Sequence, residues 1–170
     1  TINSPQTCGA HSGEYCAIWL GPELPDDQRS DDAMSAVFKS EARTRRRDIV
    51  GAPSIKLTLS CDKAQGQIAV RLLDIQPNGA SSRITYGVLN LSHHQSHADP
   101  KPLQPDVAFD ITLDLDHIAY RLPAGHRLGV AISSAYWPLI WPSPEEATLT
   151  LLQGSISVPM RPSGDADEWT

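Results

Sequence analysis

The sequence predicts an all-β fold, a sandwich or jelly roll of about eight short strands. Apolar and polar residues alternate with a period of two along much of the chain, which is the pattern of half-buried strands. The 14 prolines and 11 glycines punctuate these runs at short intervals. Helical periodicity is weak throughout, so the strands have few helices to pack against. Together these observations favour two packed antiparallel sheets.

The clearest strands are residues 55–60 and residues 107–116. In the first, Ile55 and Leu57 share one face and polar residues occupy the other. In the second, Phe109 belongs to the apolar face and Asp110 to the polar one. Alternation of this kind indicates strands of an antiparallel sheet with one buried and one solvated face.

The next strand, Gln67–Ile75, is apolar on both faces and is therefore predicted to be central. Residues 77–79 read Pro-Asn-Gly, a turn signal. Residues 83–91 then return as the partner strand of a hairpin.

Three further strands are predicted at Arg127–Ser133, 148–152 and 155–158. The pair Gln153-Gly154 is expected to be the tight turn between the last two. Residues 31–38 fit either a short helix or a strand.

The chain divides into three parts by composition. Residues 1–33 are rich in Gly, Pro, Asp and Ser and are expected to form an extended lead-in segment that packs on the sandwich. Residues 34–161 form the sandwich itself. Residues 162–170 form an acidic tail that is expected to fray.

Charge and composition exclude several classes of protein. The net charge of −6 over 170 residues argues against a nucleic-acid-binding surface. No apolar run reaches the length of a transmembrane helix, so no membrane partner is expected. No basic stretch leads into an apolar run near Thr1, so no signal peptide is visible, although the chain does not begin with Met.

The three cysteines are Cys8, Cys16 and Cys61. One bridge between Cys8 and Cys16 is compatible with their spacing. Free thiols are favoured because an odd, irregularly spaced set is a poor disulfide framework. This favours a reducing compartment, and the cytoplasm is the expected location.

No catalytic motif is apparent. The sequence contains no G-x-S-x-G turn that would present a nucleophilic serine, and His117 and His126 are isolated. A complete serine triad within this chain is therefore not expected, and no catalytic residue is assigned.

Metal and cofactor sites are not expected either. His93, His94 and His97 follow a strand and run into a loop, where no helix would hold them on one face. The acidic residues at 26–27 and 31–32 lack EF-hand spacing and are expected to form a polar loop in which Arg29 pairs with neighbouring carboxylates. The basic run at residues 43–47 is expected to be a solvated connector.

Trp137 and Trp141 are the most distinctive aromatic pair. On a β-sandwich they could form a stacking platform for a sugar. The favoured interpretation is burial at a domain contact or over the end of the sandwich, since Trp supplies a large contact area.

Four blocks of sequence carry a family resemblance. They are PDDQRSDD at 25–32, AVRLLDIQPNG at 69–79, GVLNLSH at 87–93 and AGHRLGVAISSAYWPLIWPSP at 124–144. Together they resemble the C-terminal domain of the CocE/NonD hydrolases, the serine esterase and X-Pro dipeptidyl-peptidase superfamily. His94 and Gly129 depart from the family pattern, and both are expected at the surface.

The resemblance implies a jelly-roll sandwich like a galactose-binding domain, preceded by an α/β-hydrolase catalytic domain that carries the Ser-Asp-His triad. That catalytic domain is the implied partner. Ile18, Trp19 and Leu20 are then expected to help wall its substrate pocket. The domain interface is expected to include four apolar residues in a loop-like segment, Trp137, Leu139, Ile140 and Trp141.

The expected function is thus a noncatalytic accessory domain of an acyl esterase or X-Pro dipeptidyl-peptidase-like enzyme. This chain alone is not expected to be an enzyme, and it needs no cofactor. The alternative function is a free-standing carbohydrate-binding module built on Trp137 and Trp141. A third is a sandwich used only for homo-oligomer contacts.

Overall fold

The computed structural model describes residues 1–15 and 24–162. Over these residues it contains one short α-helix, one 3₁₀ helix at Leu91–His93 and nine strands. In chain order they are α1 Arg29–Ala33, β1 Ala36–Lys39, β2 Arg47–Gly51, β3 Ser54–Cys61, β4 Gln67–Ile75, β5 Ser81–Asn90, β6 Phe109–Asp114, β7 Ile118–Leu122, β8 Arg127–Ser133 and β9 Leu149–Ser157. The prediction of an all-β fold is confirmed.

The strands form three antiparallel assemblies. A four-stranded sheet has the order β1-β8-β4-β5, a three-stranded sheet has the order β6-β3-β9, and β2 pairs with β7 as a two-stranded ribbon. This arrangement is consistent with a β-sandwich. The jelly-roll and galactose-binding-like assignments remain predictions.

The main hydrophobic core lies between the two larger sheets. Leu57 and Leu59 of β3 share one cluster of buried side chains with Val70 and Leu72 of β4 and with Ile132 of β8. The period-two alternation therefore marks the inward face of each strand. Burial of this apolar surface contributes about 25 cal/mol per Å².

Strand β4 is buried on both faces, as predicted for a central strand. Its inward residues join the main core. On the outer face, Leu73 and Ile75 pack with Ala131 of β8 in a second, smaller cluster.

The predicted turn at residues 77–79 is confirmed. The N–H of Gly79 donates to the carbonyl of Gln76 at 2.9 Å, and Gly79 has a φ of +88°. Glycine adopts positive φ without the steric penalty that a Cβ imposes. The turn joins β4 to β5 as the expected hairpin.

The predicted turn at Gln153-Gly154 is wrong. Strand β9 runs through both residues, with Gln153 opposite Thr58 and Gly154 opposite Leu57 of β3. A Cβ at Gly154 would lie 2.8 Å from Cδ2 of Leu57. This glycine therefore allows a close approach within the sheet rather than a change of chain direction.

Three other local predictions need correction. Arg47, expected in a solvated connector, begins β2, whose Ile49 is fully buried. Gly129, expected at the surface, is buried, and a Cβ there would lie 2.6 Å from Cδ1 of Ile75. His94 is half-buried with its ring 4.7 Å from that of Phe109.

Region 31–38 contains both predicted alternatives in succession. Helix α1 ends at Ala33 and strand β1 begins at Ala36. Across the described residues, the structure has no helix long and apolar enough to cross a membrane.

Candidate functional site

A buried polar cluster lies on the outer face of the four-stranded sheet. The Arg71 cluster consists of Arg71 with Gln28, Asp31, Asp32 and Ser35. Arg71 is fully buried in the middle of β4, and every other member comes from residues 28–35. The cluster therefore joins the N-terminal part of the chain to the central strand.

The guanidinium of Arg71 contacts three residues around helix α1. Its Nη1 lies 3.0 Å from Oδ1 of Asp32 and donates to Oε1 of Gln28 at 3.1 Å, and its Nη2 donates to the hydroxyl of Ser35 at 2.8 Å. The ring centroid of Tyr136 lies 5.7 Å from Cζ, within the range of a cation–π contact. Arginine suits this position because its planar fork presents five fixed donors.

Gln28 and Asp31 extend the cluster to the first residues of the chain. Nε2 of Gln28 donates to the carbonyls of His11 and Asp26, at 2.7 and 2.9 Å. The N–H of His11 donates to Oδ2 of Asp31 at 3.1 Å. Parts of the chain on either side of the undescribed residues 16–23 are thus held by the same cluster.

Burial raises the pKa of Asp32 above its ordinary value, while the charge of Arg71 favours the ionised carboxylate. The buried atoms Nε of Arg71 and Oδ1 of Asp31 have no hydrogen-bond partner. The charged groups of this cluster pair with one another and hold helix α1 against β4. They offer no activated nucleophile.

The polar loop expected around Arg29 is correct only in part. Arg29 does pair with Asp27, with Nη2 2.7 Å from Oδ2, and this lowers the pKa of Asp27. Asp31 and Asp32, however, belong to α1 and to the Arg71 cluster, and Asp31 is fully buried.

A second buried carboxylate links the four-stranded sheet to the β2-β7 ribbon. Oδ1 of Asp74 lies 2.7 Å from Nδ1 of His126, and Oδ2 accepts from the hydroxyl of Tyr120 at 2.8 Å. Burial and this hydrogen bond raise the pKa of Tyr120 well above its usual value. His126 is therefore not isolated, as the sequence had suggested, because β4 and β8 are neighbours.

The loop between β8 and β9, residues 134–148 and termed the tryptophan loop, contacts the N-terminal residues. The N–H of Trp137 donates to the carbonyl of Cys8 at 2.9 Å. Gly9 has a φ of +110°, and a Cβ there would overlap the carbonyl of Trp137. The loop and residues 8–9 therefore pack backbone against backbone.

The predicted interface residues differ in exposure. Trp137 and Trp141 are 40% and 80% exposed, whereas Leu139 and Ile140 are half-buried. The two indole rings meet edge to face at 74°, with centroids 5.4 Å apart. They do not form one flat surface on which a sugar ring could stack.

The predicted pocket-wall residues Ile18, Trp19 and Leu20 lie outside the described residues, as does Cys16. Cys8 and Cys61 are free and buried. Burial raises the pKa of both thiols, so neither is an activated nucleophile at neutral pH.

The described residues contain no catalytic arrangement of serine and histidine. Ser81, Ser133 and Ser134 are buried, and no hydrogen bond joins a serine hydroxyl to a histidine ring in this part of the chain. Nor do the described His, Cys, Asp and Glu residues form a group that could hold a metal. The rings of His93 and His97 lie 5.4 Å apart without further ligands.

An apolar groove opens between the edge strands β1 and β9, with a volume of about 210 Å³. Phe38 and Ile132 line one side, and Leu57 and Ile156 line the other. Its walls carry no charged side chain and one hydroxyl, that of Ser155, with no histidine or carboxylate in the lining to activate it as a nucleophile.

Sequence reasoning missed the Arg71 cluster. An arginine within a strand predicted to be buried on both faces was the available signal, since buried charges require partners. Those partners lie far away in sequence, so their identity was not accessible from local pattern.

The chain matches the family described as X-Pro dipeptidyl-peptidase C-terminal non-catalytic domain over residues 3–166. Among curated proteins, a putative serine esterase of Mycobacterium bovis is 25% identical over 126 residues, covering 64% of this chain and 20% of that protein. A putative Xaa-Pro dipeptidyl-peptidase of Streptomyces avermitilis is 37% identical over 68 residues, covering 40% of this chain and 10% of that protein.

Two solved structures share the fold. An alpha-amino acid ester hydrolase has a TM-score of 0.73 at 23% identity, covering 80% of this chain and 27% of that one. A CocE/NonD family hydrolase from Staphylococcus aureus has a TM-score of 0.66 at 14% identity, covering 78% and 31%. This chain spans about a fifth of the length of the Mycobacterium relative. Since the family match covers nearly all of it, the chain belongs to the X-Pro dipeptidyl-peptidase C-terminal non-catalytic domain family.

Proposed function

We propose that this chain is a noncatalytic accessory domain of a larger serine hydrolase that cleaves ester or amide bonds. The observation that carries this proposal is that the distinctive polar residues of the chain bond to one another. Gln28 bonds to Arg71, and Asp74 to His126, so these residues hold the domain together. The names of the relatives, a serine esterase and Xaa-Pro dipeptidyl-peptidases, support the class of reaction.

In the proposed enzyme the chemistry takes place on another domain. A serine there would attack the carbonyl to form an acyl-enzyme, and water would release the acid. This chain contributes no reacting group. It braces the catalytic domain, and Ile18, Trp19 and Leu20 are its proposed contribution to the wall of the substrate pocket.

The proposed contact with the catalytic domain involves Trp137, Leu139, Ile140 and Trp141. The exposure of Trp137 and Trp141 supports this, because large aromatic side chains stabilise interfaces by burying their area. Homo-oligomer contacts are a secondary proposal for the same surface. The free thiols Cys8 and Cys61 support a cytoplasmic location.

Hydroxyl-radical footprinting of a longer hydrolase that carries this chain tests the proposed contact. Oxidation rates in denaturant are divided by the rates in the folded protein to give a protection factor for each residue. We expect strong protection of Trp141 and little protection of Val50 and Leu152, which are 52% and 60% exposed here. Equal protection factors at all three positions would exclude Trp141 from the interface.

A matched pair of variants tests bracing. Trp141→Ser should lower the thermal midpoint of the whole enzyme, because it removes contact area from the domain interface. Leu152→Ser changes a comparably exposed apolar residue on β9 and should leave the midpoint unchanged. Identical midpoints for the two variants would contradict the assignment.

A further inference from the structure

We propose that Arg71 is a positioning residue for the substrate pocket of this hydrolase. It would act by fixing residues 8–12 and 26–35 on the outer face of the four-stranded sheet. The inference rests on the proposed function for its link to substrate. Its structural half stands on the contacts of Arg71 alone.

Residues 3–15 and 24–35 form the N-terminal segment that Arg71 contacts. Neither cluster of buried apolar residues contains a side chain from residues 3–15 or 24–35. The segment is held instead by polar contacts. Beyond the Arg71 cluster, the N–H of Gln28 donates to the carbonyl of Ser81 at 2.8 Å and the N–H of Trp137 to that of Cys8. Directional contacts fix an orientation, whereas apolar packing tolerates small shifts.

Arg71 contacts Gln28 before α1, Asp32 within α1 and Ser35 after it. Gln28 in turn donates through Nε2 to the backbone carbonyls of His11 and Asp26. A single guanidinium therefore helps to fix both parts of the segment relative to β4, together with the backbone contacts to Ser81 and Trp137.

A positioning role for Arg71 differs from a role in stability alone. A buried ion pair contributes little net stability compared with apolar residues of similar volume, because both charges lose their hydration. Loss of one partner removes the directional contacts that orient the segment, as well as the energy of the pair. Lysine keeps the charge, but its donors all lie on one nitrogen, so it cannot reproduce contacts that Arg71 makes from both Nη1 and Nη2.

Hydrogen exchange in the longer hydrolase tests the structural half. We expect Arg71→Met to accelerate exchange of the amides of His11, Gln28 and Asp32 about tenfold or more, with β3 amides unchanged. Leu73→Ala is the matched control, since Leu73 is fully buried on the same face of the same strand and lies outside the cluster. Unchanged exchange at these amides in Arg71→Met would overturn the inference whatever the activity.

A milder variant covers the case in which Arg71→Met does not fold. Gln28→Glu keeps the acceptor for Arg71 but replaces the Nε2 donor to His11 and Asp26. It should accelerate exchange around His11 and leave Asp32 protected. If the amides of this segment exchange at the same rates in Gln28→Glu as in the unchanged protein, the inference is contradicted.

Steady-state kinetics on p-nitrophenyl esters and Xaa-Pro amides tests the functional half. We expect Arg71→Met to raise KM about fivefold or more beyond Leu73→Ala, and Arg71→Lys to recover only part of that change. Equal effects on KM and kcat in Arg71→Met and Leu73→Ala would reduce Arg71 to a structural role. If Arg71→Met accelerates amide exchange but the unchanged protein shows no hydrolase activity, the proposed function is refuted and the structural half of the inference stands.

Discussion

Asp74 and His126 form a buried contact, with 2.7 Å between Oδ1 and Nδ1, at the point where the four-stranded sheet meets the β2-β7 ribbon. Tyr120 donates to the second oxygen from β7. The carboxylate of Asp74 on β4 thus contacts a residue of β7 and the loop residue that directly precedes β8.

Tyr120 should make the stability of the domain sensitive to alkali. Burial and the bond to Asp74 raise its pKa above the value of about 10 expected in the unfolded chain. The folded state therefore holds the phenol proton more tightly, and the resulting stability is present below about pH 10 and lost as pH rises further. The free energy of unfolding should fall more steeply above about pH 10 in the unchanged protein than in Tyr120→Phe.

At neutral pH the same substitution should cost about 1–2 kcal/mol, because the buried oxygen of Asp74 loses one donor. Urea unfolding at several pH values measures both effects. Parallel pH profiles for the two proteins would show that Tyr120 titrates normally. Tyr86 and Tyr136, whose pKa values burial also raises, are common to both proteins and cancel in the comparison.

Gly9→Ala should detach the N-terminal residues from the tryptophan loop. Its positive φ and the overlap of a Cβ with the carbonyl of Trp137 leave no room for a side chain. Gly79→Ala is the control, because that position also has positive φ but no atom within 4 Å of a Cβ. It should cost only the backbone strain of about 1–2 kcal/mol. Equal losses in urea unfolding would contradict the packing described for Gly9.

Strand β6 offers a test of the sandwich register. Ile111 faces the core and is 3% exposed, whereas the next residue, Thr112, faces solvent. Ile111→Ala should cost about 2–5 kcal/mol, and Thr112→Ala should change stability by roughly 0.5 kcal/mol or less. Thermal or urea unfolding measures both. A reversed order would indicate that the strand is displaced by one residue.

The thiols of Cys8 and Cys61 should resist alkylation until the domain unfolds. Both are fully buried, and burial raises their pKa, so little thiolate is present near neutral pH. In a Cys16→Ser background, a colorimetric disulfide reagent should react with both thiols only in denaturant. Rapid reaction of the native protein would show that these sites open locally.

Period-two alternation was enough to predict strands such as β3 and β6, because inward and outward residues are distinguished by their own chemistry. The turn at Gly79 was predictable because Pro-Asn-Gly has a local conformational cause. Gly154 was misread because a glycine that admits Leu57 of a neighbouring strand looks the same in sequence as a glycine that reverses the chain. The strand containing Ile49 was missed because the adjacent arginines hid its alternation.

Candidate site residues were less accessible. The family resemblance placed Gln28, Arg71, Asp74 and His126 within distinctive blocks, but it did not say which of them touch. Contacts between Gln28 and Arg71 depend on how the N-terminal segment crosses the sheet, and no local pattern encodes that crossing. The exposure of Trp141 likewise depends on loop geometry rather than on hydrophobicity.

The central claim is that this chain supplies contacts and no catalytic serine, and fluorophosphonate labelling tests it most directly. A longer hydrolase that carries the chain is treated with the probe, digested and mapped by mass spectrometry, alongside a hydrolysis assay on p-nitrophenyl esters. We expect one labelled serine outside residues 1–170, with loss of activity in proportion to labelling. Stoichiometric labelling of a serine within these residues, with matching loss of activity, would contradict the account.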